Sequence, residues 1–315
     1  MTQDIRKTAQ AGHPPLTPKP TKQRDARVLP ADLEIIEDGK TLRSALAKRG
    51  RIGFVPTMGN IHAGHIQLVK QARLVSDTVV ASVFVNRLQF GPNEDFDKYP
   101  RTLEADLEKL NEAGVDFVFV PSEEEMYPTQ QTCFVDPGPI GDLLEGQFRP
   151  GFFRGVATVV TKLFNLVQPD VAVFGKKDYQ QLRVIEHVVR QLSLPVQVVA
   201  SETTRDLDGL ALSSRNSYLT PQQRAKAPRL YDVLKQLARR LDGTARPARA
   251  HEDSVMQALQ KEGFGMDYVA IRQRHNLESV HVPVGELVIL IAARLGETRL
   301  IDNLEIILES TELFF

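Results

Sequence analysis

Two histidines, His62 and His65, stand three residues apart with Gly64 between them, at the end of the stretch Gly53-Phe54-Val55-Pro56-Thr57-Met58-Gly59-Asn60-Ile61-His62-Ala63-Gly64-His65. The stretch reads as a strand, a turn and a helix start. Residues three apart share one face of a helix, so both imidazoles should lie together at a helix N-terminus. The first N–H groups there carry positive potential, and Gly64 lets a phosphate come close to the backbone. Two imidazoles so placed can donate hydrogen bonds to an α-phosphate as charge builds in an in-line displacement. Taken alone, His-x-Gly-His also fits an ordinary polar helix face. A zinc site would need further ligands, and no Cys or carboxylate cluster supplies them, so no metal-ligating residue is assigned.

A second segment, Gly175-Lys176-Lys177-Asp178-Tyr179-Gln180-Gln181, begins where an apolar run ends and opens the next helical pattern. Lysine at such a junction can reach triphosphate oxygens as a point charge; solvated loop lysines are the plainer reading. A third, Leu212-Ser213-Ser214-Arg215-Asn216, offers hydroxyls and a guanidinium suited to pyrophosphate, or else is a Ser-rich turn. Three phosphate-competent loops in one chain are harder to reach by accident than any one of them.

Something must position these loops. Apolar runs at 51–56, 79–85, 115–121, 170–175 and 195–200 read as buried parallel strands, with helical patterns at about 65–75, 101–113, 155–167 and 179–191 between them. Such alternation predicts an α/β fold, a Rossmann-like doubly wound parallel sheet with ligands at the carboxyl ends of its strands. After Thr204 the pattern changes. The turn Asp206-Leu207-Asp208-Gly209, a capping box at Thr220-Pro221-Gln222-Gln223, helices near 222–242 (interrupted by Pro228) and 252–262, and an antiparallel pair at 287–293 and 299–308 predict a smaller C-terminal α+β domain. The expected division is a tail at 1–30, a nucleotide-binding domain at 31–203 and a lid domain at 204–315, hinged near 201–206. The tail is read from five prolines among polar residues, with little to bury.

Composition excludes several classes. The net charge of -1, from 39 basic and 40 acidic residues, supplies no field for nucleic acid or an anionic membrane. A single cysteine, Cys133, builds neither an internal disulfide nor a thiolate cluster. No apolar run approaches membrane-spanning length, and no apolar stretch follows Asp4, Arg6 and Lys7 as in a secretory signal, so a cytoplasmic location is expected.

Put together, the three loops resemble the His-x-Gly-His nucleotidyltransferases related to class I synthetases, with Ser213-Ser214-Arg215 in place of the Lys-Met-Ser-Lys-Ser loop. More specifically, the chain from about residue 31 onward resembles the pantothenate synthetase family. Pro56-Thr57-Met58-Gly59, Phe84-Val85-Asn86 with Gln89-Phe90-Gly91, Arg149-Pro150-Gly151, Phe164-Asn165 with Gln168-Pro169-Asp170, Lys177-Asp178-Tyr179-Gln180-Gln181, Ser213-Ser214-Arg215-Asn216 and Leu300-Ile301-Asp302-Asn303 carry the resemblance. It implies ATP-dependent joining of pantoate to β-alanine through a pantoyl-adenylate, with Mg²⁺ and a homodimer. It also implies that Met58, Gly59, Asn60, Ile61, His62, Ala63, Gly64 and His65 line the ATP site together with Gly175, Lys176, Lys177, Asp178, Thr204, Leu212, Ser213, Ser214 and Arg215. Within that set His62, His65, Lys177, Ser213, Ser214 and Arg215 would be catalytic, with His65 as proton donor. Gln89 and Gln181 would hold pantoate, Gln89 lying beside β-alanine as well, and Arg149 would be a supporting or carboxylate-facing cation. Four positions depart from the family pattern: Arg87 stands for the usual proline, Lys176 for glutamate, Phe152 for a common histidine and Thr204 for an apolar residue. Lys176 would add charge beside the triphosphate. Two alternatives remain, an enzyme adenylylating a phosphate ester and an RNA-binding relative; Gln89 and Gln181 count against the first and the charge balance against the second.

Overall fold

The computed structural model describes residues 33–92, 94–241 and 246–309; the segment 1–30 read above as a tail lies outside them. The main sheet begins with a strand that sequence reading missed, β1 (Glu34–Ile36), and continues through β2 (Ile52–Thr57), β3 (Thr78–Val83), β4 (Phe117–Phe119), β5 (Val171–Gly175) and β6 (Gln197–Ser201). Every pairing is parallel, in the order β1-β4-β3-β2-β5-β6. Helices cover both faces, which is why the strands read as unbroken apolar runs. Phe54, Val80 and Ala172 enter one core layer, while their neighbours Val55, Val79 and Val171 enter the other.

The covering helices are α1 (Gly39–Leu46), α2 (Ala63–Val75), α3 (Leu103–Glu112), α4 (Glu123–Met126), α5 (Glu145–Phe148), α6 (Phe152–Val167) and α7 (Tyr179–Gln191). β2 pairs with β3 on one side and β5 on the other. The chain leaves β2 toward one edge and returns at β5, so a crevice opens beyond the carboxyl ends of these two neighbours. The histidine segment follows β2 and the lysine segment follows β5.

The rest of the chain contributes α8 (Pro221–Lys226), α9 (Arg229–Leu241), α10 (Ala248–Lys261) and an antiparallel meander of β7 (Gly265–Gln273), β8 (Gly285–Leu295) and β9 (Thr298–Leu308). The capping box forms: Thr220 Oγ1 accepts from Gln223 N–H at 3.3 Å and Gln223 Oε1 from Thr220 N–H at 2.9 Å. Pro228 splits the expected long helix into α8 and α9, because proline has no N–H to donate and its ring crowds the preceding turn. Successive residues of the meander point to opposite faces. Ala270, Val288 and Leu290 join the core of the main sheet, while Ile271, Ile289 and Ile291 join the core with α9 and α10.

Candidate active site

The turn after β2 is built from two consecutive left-handed residues, Gly59 (φ 82°) and Asn60 (φ 50°). Glycine adopts this conformation without strain and asparagine tolerates it. Asp106, on α3 and fully buried, clamps the turn by accepting the N–H of Asn60 at 2.8 Å and of Ile61 at 2.6 Å, with the Thr102 hydroxyl at 3.1 Å. Gly59 and Ile61 are therefore buried support, and Ala63 faces outward.

The turn delivers His62 to the N-cap of α2. Gly64 N–H donates to His62 Nδ1 at 3.1 Å, and His62 N–H donates to His65 Nδ1 at 3.4 Å, a capping box made of two imidazoles. The rings lie 4.1 Å apart. Since each Nδ1 accepts, the tautomer assigned by this network carries hydrogen on Nε2 in both rings. Burial, followed by the charge of Lys177, pushes the His62 pKa down to about 4. Burial, followed by His62 itself, pushes His65 to about 3. At neutral pH both rings line the cleft as uncharged Nε2–H donors. The N–H groups of His62 and Gly64, expected to face a phosphate, are instead taken up by the imidazoles, because a side-chain cap competes for the helix's first donors.

Gly175, Lys177 and Asp178 line the same cleft, of ≈ 850 Å³, within the range of ligand pockets. Lys177 Nζ lies 3.3 Å from Asp178 Oδ1. Lys176 is elsewhere: its Nζ sits 2.5 Å from Glu202 Oε1 and 2.7 Å from Glu305 Oε2, and it does not line the cleft. Lys176 and Lys177 are consecutive residues of a 3-10 turn and point in different directions from it, so Lys176 faces two carboxylates rather than the ligand space. The added charge expected beside a triphosphate is neutralised on the far side.

Gln89 closes a 3-10 turn, Arg87–Gln89. Asn86, buried, donates from Nδ2 to Gln89 Oε1 at 3.1 Å and accepts the Tyr127 hydroxyl at 2.7 Å on its own Oδ1. Gln89 Nε2 donates to Met58 Sδ at 3.1 Å, which ties it to the segment leading into the histidine turn. The turn rests on α6 at Gly155, where a Cβ would collide with the Leu88 carbonyl. Gln181 lines the same cleft. Arg149 is heavily engaged: it pairs with Glu94 at 2.6 and 2.5 Å, donates to the Gln89 carbonyl at 3.2 Å and stacks 3.6 Å over Phe152. Burial raises the Glu94 carboxyl, but hydrogen bonding and charge from Arg149 outweigh it and hold the pKa below the usual range. Arg149 therefore supports Gln89 rather than presenting an unmatched charge.

The loop from the second unit completes the enclosure. Leu212 N–H donates to the Thr204 carbonyl at 3.0 Å, and Ser213 Oγ accepts from Arg215 N–H at 3.3 Å. Ser214 Oγ approaches the Asn60 carbonyl at 3.5 Å, and Arg215 pairs with Asp95 at 2.8 and 3.1 Å. Thr204, Leu212, Ser213, Ser214 and Arg215 all line the cleft. Asp106, Asn86, Asp95, Glu94 and Gly155 were missed by sequence reading. Asp95 and Glu94 sit in a charge-rich loop with no distinguishing pattern, whereas glycine inside the apolar stripe of α6 was a signal for close approach.

The pantoate–β-alanine ligase family model matches residues 34–305. A curated pantothenate synthetase from Nitrosospira multiformis is 54% identical over 274 residues, covering 87% of this chain and 98% of that protein. The crystal structure of pantothenate synthetase from Thermus thermophilus superposes with a TM-score of 0.82 at 48% identity, over 87% of this chain and 99% of the other. The Francisella tularensis pantoate–β-alanine ligase, solved with beta-gamma ATP and β-alanine, gives a TM-score of 0.73 at 34% identity, over 86% and 97%. By sequence and by fold, this chain belongs to the pantoate–β-alanine ligase family.

Proposed function

We propose that the cleft joins pantoate to β-alanine at the expense of ATP, through a pantoyl-adenylate. The observation that carries the reading is the make-up of one cleft. Neutral imidazoles, Lys177 and the Ser213–Arg215 loop line it together with the amides Gln89 and Gln181 and an arginine already neutralised by Glu94. A phosphate-ester acceptor would need unmatched cations there. A hydroxy acid needs groups that donate and accept together, as an amide does.

In the first step a pantoate carboxylate oxygen attacks the α-phosphorus, and the bond to the bridging oxygen breaks with its electrons passing to pyrophosphate. His62 and His65 donate Nε2–H to the phosphate oxygens as negative charge grows; Lys177 balances the departing pyrophosphate, with Arg215 beside it in its pair with Asp95. In the second step the neutral amine of β-alanine attacks the carbonyl of the mixed anhydride. The C–N bond forms, the C–O bond breaks with its electrons passing to AMP, and the proton lost by the amine passes to the departing AMP phosphate. The pairs Arg149–Glu94 and Arg215–Asp95 hold the 94–99 segment beside the cleft, where it helps to keep water from the anhydride.

Among the described residues no group of three His, Cys, Asp or Glu side chains converges as a metal site. That donor set fits Mg²⁺ only as a partner of the triphosphate, with Asp178 as the carboxylate at hand. Bound there, Mg²⁺ would supply charge neutralisation for the leaving pyrophosphate. The reading divides the chain into a catalytic domain at 31–203 and a lid domain at 204–315, and carries a cytoplasmic homodimer on family resemblance. Among the described residues no helix is long and apolar enough to cross a membrane.

ATP–pyrophosphate exchange measured against a panel of acids tests the activity. Exchange should require pantoate and proceed without β-alanine. Exchange that appears only with the amine present would overturn the two-step scheme, and a dinucleotide product from a phosphate ester would favour the alternative enzyme.

A further inference from the structure

We propose that Asn303 on β9 is a positioning residue for adenylation, fixing from the second unit the loop that carries Lys177. The inference rests on Lys177 meeting the triphosphate, as argued above. Asn303 is buried, and its Nδ2 donates to two consecutive carbonyls, Lys176 at 2.8 Å and Lys177 at 3.0 Å. Both amide hydrogens are thus committed to the backbone of one 3-10 turn, Lys176–Asp178.

Asn303 is itself held on every side. Its N–H donates to Asp302 Oδ1 at 2.7 Å, and its carbonyl accepts from Arg205 at 3.3 Å. Asp302 in turn grips Arg205 at 2.6 and 2.8 Å, in the connection between the two units. In the meander Asn303 lies opposite Leu290, which fixes its register. Two residues on and on the same face of the strand, Glu305 takes Lys176 Nζ at 2.7 Å and the Tyr179 hydroxyl at 2.7 Å. β9 therefore grips the chain immediately before and after the Lys177 side chain. The Lys177 ammonium is left to the cleft, at a point set by a strand of the other unit. Transition-state contacts are sensitive to displacements of about 1 Å, at roughly a hundredfold in rate, so a carbonyl clamp at this distance from the chemistry has kinetic consequences.

Single-turnover rates for the two half-reactions decide the matter, measured on wild type, Asn303→Leu, Asn303→Asp, Lys177→Ala and the Asn303→Leu/Lys177→Ala double variant, with thermal midpoints alongside. Asn303→Leu removes both donors and should slow adenylation by about ten- to a hundredfold. Amide formation from supplied pantoyl-adenylate should change by less than about threefold, since pyrophosphate has gone. In the Lys177→Ala background the same substitution should cost less than about threefold, because the group it positions is missing. Asn303→Asp sets a carboxylate against two carbonyls; its adenylation rate should fall at pH 8 and recover as the pH is lowered, because a protonated carboxyl can again donate. This profile carries the test should Asn303→Leu fold poorly. Equal losses in both half-reactions, a full loss retained in the Lys177→Ala background, or no recovery of Asn303→Asp would each reduce Asn303 to support of the fold. Normal adenylation in Lys177→Ala would refute the phosphate role of Lys177 instead, and a crippled Lys177→Ala beside a normal Asn303→Leu would sink the clamp alone.

Discussion

Replacing Asp106 by asparagine tests whether the histidine pair is placed by a single buried carboxylate. The carboxylate accepts from Asn60 N–H at 2.8 Å, Ile61 N–H at 2.6 Å and the Thr102 hydroxyl at 3.1 Å. An amide of the same shape keeps one acceptor oxygen, which can serve only one of the two backbone donors well. Its NH₂ then faces the other N–H, while the Thr102 hydroxyl can rotate to accept. One charge-assisted bond is lost, at about 1.5–3 kcal/mol, and one buried N–H is stranded, at about 1–3 kcal/mol. Partial relaxation of the turn places the total near 3 kcal/mol. At roughly 2–4 °C per kcal/mol for a domain of this size, the thermal midpoint should drop by about 6–12 °C. Asn60 sits in a left-handed conformation that the clamp stabilises, and His62 follows two residues later. Pantoate-dependent exchange at saturating ATP should therefore fall by about ten- to a hundredfold. Calorimetry and the exchange assay at 25 °C read the two effects. A midpoint within 1–2 °C of wild type, together with exchange within about twofold, would show that the turn holds its shape without Asp106 and that this account of the site is wrong.

Lys177→Ala should lower pantoate-dependent exchange by about 10²–10³ and spare amide formation from supplied pantoyl-adenylate; equal losses in single-turnover experiments would make the lysine structural. Gln89→Ala should damage both half-reactions in the same measurement, because on the proposed reading its amide touches pantoate and amine alike. His62 and His65 should stay neutral down to about pH 5, seen as Cε1–H resonances that titrate toward midpoints of about 4 and about 3. Since these folded values lie below the ordinary 6.5, the unfolded chain binds more protons in between; the stability they contribute is fully present above pH 6.5 and is lost as the pH falls toward 3. Lys177→Ala should raise the His62 midpoint, since a positive neighbour is removed. Gly155→Ala should raise KM for pantoate by displacing the 87–89 turn, and an unchanged KM would mean that the turn does not depend on that close approach.

The parallel strands and their helices were legible because burial on both faces leaves continuous apolar runs, as in Val79–Val85, bounded by helical spacing. The histidine and lysine loops were legible because each follows such a run, and the serine loop because two hydroxyls and a guanidinium stand together in it. β1 escaped because it has three residues, two of them exposed. β7 escaped because Asp267 and Arg272 interrupt its apolar alternation; both face ion-pair partners, Arg299 for Asp267 and Glu252 for Arg272. Lys176 was misplaced for a related reason: spacing along the chain says that two lysines share a loop, but not that Glu202 and Glu305 wait on one side of it. The carboxylates that organise the site carry no local pattern at all. Asp106 resembles any first-turn acid of a helix until the fold sets it against Asn60 and Ile61.

The matched charges bear on how the site treats a carboxylate and a polyphosphate differently. Arg149, Lys176 and Arg215 each meet a carboxylate at 2.5–2.8 Å. Among the described residues Lys177 pairs with its sequence neighbour Asp178 alone, at 3.3 Å, with half of that side chain in solvent. On the proposed reading, a pantoate carboxylate entering near Gln89 meets no strong attraction that would have to be broken when it turns nucleophile. A polyphosphate near Lys177 would meet a cation whose existing partner is weak, and two imidazoles that burial above all keeps uncharged. Adding a positive charge beside Gln89 should then bind pantoate more tightly while slowing its attack. Glu94→Gln, which releases Arg149 from its pair, provides that case: KM for pantoate should fall and the single-turnover adenylation rate should fall with it, the signature of stabilising the ground state over the transition state. A rise in KM with a fall in the adenylation rate would mean that Glu94 serves the site by holding the 94–99 segment, and that neutralising Arg149 is incidental.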